Sequence, residues 1–137
     1  MKSLKTLIKI HKKASDELGA EISKYELEKQ KHLNSIDELN ENLKSEIELF
    51  KDLQEFSLSL ALYKENINKQ KEEYESKISD LDVKIVDLRD ELRVEFIALK
   101  KFEKILENRM KQLKYEQEKK AEEEASENAI MKYNYNN

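Results

Sequence analysis

The chain has no cysteine, no proline and no tryptophan, a single glycine (Gly19), and only 7% aromatic residues. Each absence removes a class of protein. Without cysteine there are no disulfides, thiolate metal sites or cysteine nucleophiles. Without proline, and with one glycine in 137 residues, almost nothing interrupts a helix. Charged residues make up 41% and apolar residues 38%, too lean a mixture for a core of several layers but enough for a two-helix seam. The 26 basic residues are outnumbered by 30 acidic ones, a net charge of −4, which disfavours wholesale nucleic-acid binding. No stretch approaches the roughly 20 apolar residues that cross a bilayer. The opening MKSLKTLIKIHKK lacks the continuous apolar block of a secretory signal, so a cytoplasmic protein without direct membrane insertion is expected. A glycine-rich phosphate loop, H-E-x-x-H and G-x-S-x-G are all missing. Neither enzyme activity nor a cofactor is expected.

What is present is one heptad register from Leu4 to Leu113. One series runs Leu4, His11, Leu18, Tyr25, His32, Leu39, Glu46, Leu53, Leu60, Ile67, Tyr74, Leu81, Leu88, Glu95, Phe102 and Arg109. The other runs Ile8, Ser15, Ile22, Lys29, Ile36, Leu43, Phe50, Ser57, Lys64, Lys71, Ile78, Ile85, Leu92, Leu99, Leu106 and Leu113. Alternating steps of three and four put both series on one helical stripe, which another helix must cover. The fold class is therefore all-α, a coiled coil.

An unbroken register fits one helix of about 120 residues, ~180 Å long, paired with a copy of itself. It also fits two helices of one chain folded back on each other. Ser57, Lys64 and Lys71 are three consecutive polar members of the second series, and Phe56, Leu58, Leu60, Leu62 and Tyr63 would surround a continuous helix with apolar groups. A bend capped by those side chains is favoured over a rod that exposes them. The expected architecture is a single domain spanning 1–137: helix one at about 3–53, a turn at about 53–59, helix two at about 58–127 and a frayed tail at 128–137. Antiparallel partners should then sum to roughly 112, placing Leu4 near Leu106, Ile22 near Leu88 and Ile36 near Ile78. Helix two overhangs the first residues of helix one.

His11 and His32 lie three heptads apart, about 30 Å along one helix, too far to share a metal ion. The polar seam residues Ser15, Lys29, Glu46, Lys64, Lys71, Glu95 and Arg109 read as register and partner specification at a cost in stability. Gly19 reads either as an unfavourable helix residue or as a close contact with helix two. A catalytic carboxylate pair would need a sheltered cleft, which a two-helix ribbon lacks.

Charge is uneven along the expected hairpin. Lys2, Lys5, Lys9, Lys12 and Lys13 stand in the first fifteen residues without one acid, whereas residues 37–55 hold seven acids against Lys44 and Lys51. Residues 104–120 are again basic. The candidate partner-binding residues are therefore Lys5, Lys9, Lys12, Lys13, Arg109, Lys111, Lys114, Lys119 and Lys120, a surface that would steer toward an acidic partner.

The opening MKSLKTLIKIHKK, the tract ALYKENINKQKEEYESKISDLDVKIVDLRDELRVEFIALKKFEKILENR and the acidic helical tail together resemble the FliJ/YscO family of flagellar and type III secretion export stalk proteins. The most distinctive piece runs from Leu92 to Arg109, where Lys100-Lys101-Phe102-Glu103 precedes Glu107 and Arg109. The ending ASENAIMKYNYNN departs from the acidic-aliphatic-arginine close of such proteins. The resemblance implies a non-enzymatic antiparallel hairpin whose paired ends enter a hexameric export ATPase. It also implies an export-gate membrane protein and export chaperones as further partners, and peripheral association with the inner membrane through the export complex. The alternative is a homodimeric structural coiled-coil tether or scaffold unrelated to an ATPase.

Overall fold

The computed structural model describes residues 2–51 and 57–136. They form two helices, α1 (Lys2–Phe50) and α2 (Ser57–Asn136), of 49 and 80 residues. The helices pack on each other as an all-α antiparallel hairpin. Lys51 closes the end of α1, its backbone N–H donating to the Glu48 carbonyl at 3.4 Å. Of the turn expected at 53–59, residues 53–56 lie outside the described part, as does Phe56 among the proposed capping side chains. Residues 57–59 already belong to α2.

The heptad register accounts for the burial pattern. In α1 every member of the two series from Leu4 to Phe50 is buried or half-buried. In α2 the same holds from Leu60 to Leu106, with Lys64 as the exception. There the seam takes Tyr63 instead, one residue earlier, and leaves the lysine exposed. A tyrosine can bury its ring and keep its hydroxyl at the edge, whereas an ammonium turned inward would lose its hydration. Leu58 and Leu62 are exposed at 72% and 58%, so they do not cover the hairpin end as expected.

Arg109 and Leu113, which the periodicity assigned to the seam, are exposed as well. Both lie beyond Leu106, the last member of the series that is half-buried. The tail expected to fray at 128–137 instead continues α2 as helix through Asn136. No proline or glycine stands there to stop it, and Ala129 and Met131 favour helix.

Contacts divide the chain into two compact units, one of Met1–Lys13 with Glu95–Asn137 and one of Ala14–Val94. In the second unit Ile22, Ile67, Leu81 and Ile85 form the buried core. Across it, Lys29 Nζ meets Asp82 Oδ1 at 2.6 Å, Arg89 donates to Glu26, and the His32 and Tyr74 rings sit 5.7 Å apart. Partner numbers fall on α2 as they rise on α1, which makes the pairing antiparallel. Their sums lie between 106 and 115, near the expected register. In the first unit Leu4 and Leu99 are buried.

Two positions of α1 weaken the seam. The Ser15 Oγ is buried with no hydrogen-bond partner. Four residues on, a Cβ added to Gly19 would meet nothing within 4 Å, so the close helix contact considered from the sequence is absent. Gly19 therefore contributes only excess freedom of the unfolded chain. Gly19→Ala should stabilise the fold by about 1 kcal/mol, and Ser15→Ala by a similar amount of about 1 kcal/mol through loss of an orphaned hydroxyl. Urea unfolding followed by circular dichroism checks both, and a fall in midpoint for Gly19→Ala would mean that the glycine accommodates a neighbour after all.

Candidate functional site: the basic unit and its helical overhang

The two units carry opposite charge. Residues 1–13 and 95–137 together hold 14 Lys and Arg against nine Asp and Glu, a surplus of five positive charges. Residues 14–94 hold 12 against 21, a surplus of nine negative ones. All nine candidate residues, Lys5, Lys9, Lys12, Lys13, Arg109, Lys111, Lys114, Lys119 and Lys120, fall in the basic unit, and all are exposed.

They do not form one patch. Lys5 and Lys12 flank the seam of α1, and Lys9 stands on the same side farther out, by their heptad positions. Leu7 and Ile10 occupy the opposite flank and remain exposed. Arg109, Lys111, Lys114, Lys119 and Lys120 belong instead to the part of α2 that extends beyond α1. From Glu107 to Asn136 every residue is exposed, a bare helix of 30 residues, or about 45 Å at 1.5 Å per residue. The overhang, expected from the sequence at about 110–127, thus begins three residues earlier and ends nine residues later.

Within the basic unit, one polar layer fixes how α1 meets α2. His11 Nδ1 lies 2.5 Å from Glu95 Oε2, and the imidazole stacks on Phe102 at 5.4 Å with 22° between the planes. Glu95 and Phe102 are one heptad apart, so the ring sits between two successive seam positions of α2. Read along the sequence, His11 and Glu95 were separate defects of the stripe. Paired across the hairpin they satisfy each other, and a one-heptad slip would leave both half-buried and unmatched.

Lys100, Lys101 and Lys104 were not among the candidate partner-binding residues, yet they too are exposed in the basic unit. Lys100 lies over the Phe96 ring at 5.1 Å and near Glu103 at 3.9 Å. Lys104 and Lys111 both approach Glu107, at 4.0 and 3.0 Å. The hydrogen bond from Lys111 and the charges of Lys104 and Lys111 hold the Glu107 carboxyl below the ordinary glutamate range. The signal for these residues was present, since the i,i+3 and i,i+4 spacing of Lys104, Glu107 and Lys111 is that of a helical ion-pair ladder. Among the candidate residues, Lys5, Lys9, Lys12, Arg109, Lys114, Lys119 and Lys120 have no carboxylate within salt-bridge distance among the described residues.

Nothing in this arrangement encloses a reacting group. The groove lined by Glu28, His32, Lys77, Asp80, Leu81 and Lys84 is a shallow surface depression. Among the described residues no three histidine or carboxylate side chains gather as a metal site, and no helix is long and apolar enough to cross a membrane. Comparison with known proteins finds no matching family model, no matching characterised protein and no matching solved structure. What the site offers is a charged, partly apolar helix standing clear of its own fold.

Two outcomes follow. A double-mutant cycle of His11→Ala and Glu95→Ala should return a coupling of about 0.5–3 kcal/mol, measured by urea unfolding; strict additivity would remove the polar layer from the account of register. A carbon-detected NMR titration should place the Glu107 midpoint below the ordinary glutamate range, and Lys111→Ala should raise it. The lowered value means that the carboxylate favours the folded helix above the ordinary glutamate range and loses that effect as pH falls through its own midpoint.

Proposed function

We propose that this chain is a non-enzymatic coiled-coil component of a flagellar-type protein export apparatus, acting as a stalk for the export ATPase and as an escort for export chaperones. The observation that carries the reading is the opposite charge of the two units. One unit has a surplus of positive charge and bears a 30-residue exposed helix, and the other has a surplus of negative charge. A ring-shaped partner lined with acidic groups is a fitting recipient for a slender basic rod of this kind. Long-range attraction would raise the rate of capture, and the exposed Met110 and Leu113 would supply apolar contact after entry. Lys5, Lys9, Lys12 and Lys13 would meet the rim, while Arg109, Lys111, Lys114, Lys119 and Lys120 would reach farther in.

The reading also rests on the resemblance of residues 61–109 and of the opening segment to FliJ/YscO export stalk proteins. An export-gate membrane protein and the chaperones belong to it as further partners, and peripheral residence at the inner membrane would follow from assembly with the gate. A homodimeric scaffold is the second reading, favoured by the apolar side chains left exposed along the overhang.

Adding the full-length chain to a purified hexameric export ATPase should stimulate hydrolysis, and the chain lacking residues 110–137 should not. Loss of stimulation with salt should accompany it, as expected of exposed charges. Absence of both binding and stimulation by the full-length chain would discard the stalk reading and leave the scaffold.

A further inference from the structure

The overhang is not uniformly charged, and its pattern has a symmetry of its own. Residues 109–120 hold five basic side chains against Glu116 and Glu118, a surplus of three positive charges. Residues 121–132 hold Glu122, Glu123, Glu124 and Glu127 against Lys132, a surplus of three negative charges. The two halves are equal in length and opposite in sign. We propose that the overhangs of two copies of this chain pair antiparallel, with the dyad between Lys120 and Ala121, so that the basic half of each covers the acidic half of the other.

In such a pair opposite residue numbers sum to about 241. Lys114 then stands level with Glu127, Lys119 with Glu122, and Met110 faces Met131. Two like-charge layers remain, Glu118 against Glu123 and, at the ends, Arg109 against Lys132. A parallel pair would instead set Lys119 and Lys120 against themselves and Glu122–Glu124 against themselves, a run of repulsive layers.

The helix surface fits the same arrangement. Gln117, Ala121 and Ala125 are spaced by four and share a face, and two alanines near the dyad let the backbones approach closely. Met110 and Met131 stand at the two ends of that face, exposed at 52% and 68%, and would be covered together. Lys114, Lys119, Lys120, Glu122, Glu123 and Glu127 are all exposed, and none has an ion-pair partner among the described residues. Their charges are thus available to a second helix. The occupant is a copy of this chain, because a basic or an acidic partner helix would match only one half. The inference does not depend on an export ATPase.

The absence of cysteine makes the test direct. Two full-length variants, Met110→Cys and Met131→Cys, carrying different tags, are mixed and oxidised. The 110–131 mixed disulfide should dominate, while each variant alone gives little product. Mainly 110–110 and 131–131 products, or no intermolecular product, would overturn the proposal. A charge exchange supplies the second arm. Lys114→Glu with Lys119→Glu in one chain, and Glu122→Lys with Glu127→Lys in another, should each weaken self-association at least tenfold by sedimentation equilibrium. Mixing the two should restore dimers, because every exchanged charge then stands level with its opposite. These residues lie outside the hairpin seam, so each variant should keep the parent circular dichroism melt. Variants that dimerise as well alone as when mixed would overturn the antiparallel pairing.

Discussion

A two-helix ribbon has no interior beyond the stripe where its helices touch, and everything else in this molecule depends on that stripe being matched residue for residue. The apolar members, Leu4, Ile22, Ile67, Leu81, Ile85 and Leu99, supply the burial, each worth about 1.5–3 kcal/mol. Burial alone does not choose a register, since aliphatic side chains a heptad apart are nearly interchangeable. The choice comes from the polar members. His11 with Glu95 and Phe102, Lys29 with Asp82, and His32 with Tyr74 each find a partner only when α2 runs antiparallel with partner numbers near 110. Residues that weaken the stripe in isolation are the ones that specify it.

The same constraint explains where the molecule is available to others. Among the described residues the seam is covered as far as Leu106, and the heptad positions of α2 that follow are exposed. Arg109 and Leu113 change role at that boundary, from seam positions to surface. The helix persists because its composition is rich in good formers and free of proline and glycine, rather than because it is packed. An exposed and strongly charged helix suits insertion into a partner or pairing with a copy, and both uses draw on the same side chains.

How much of this was legible in the sequence follows from the range of each interaction. Period and fold class were fully legible, because apolar spacing is a local property. The antiparallel register near 112 was legible too, and with it Glu95 stood within reach of His11 and Asp82 within reach of Lys29. Those pairs were overlooked because polar seam residues were taken one at a time along the chain instead of in pairs across it. The swap of Lys64 for Tyr63 depends on the solvation of one ammonium group, which periodicity does not weigh. The emptiness around Gly19 depends on side chains of the opposite helix, and no pattern within α1 reveals it. The extent of the overhang was underestimated because Ile130, Met131, Tyr133 and Tyr135 look like a change of composition, whereas their backbone is helical through Asn136.

The claim beneath all of these is that α1 and α2 of one chain are each other's partners in this register. Leu18 and Leu92 are half-buried seam positions whose numbers sum to 110, and the chain has no cysteine to interfere. Leu18→Cys with Leu92→Cys, oxidised in the full-length protein at low concentration and run under denaturing, non-reducing conditions, tests it most directly. The account predicts a single disulfide-closed chain of monomer mass that migrates faster than its reduced form. Disulfide-linked dimers as the only product would contradict it and return the molecule to a continuous two-chain rod.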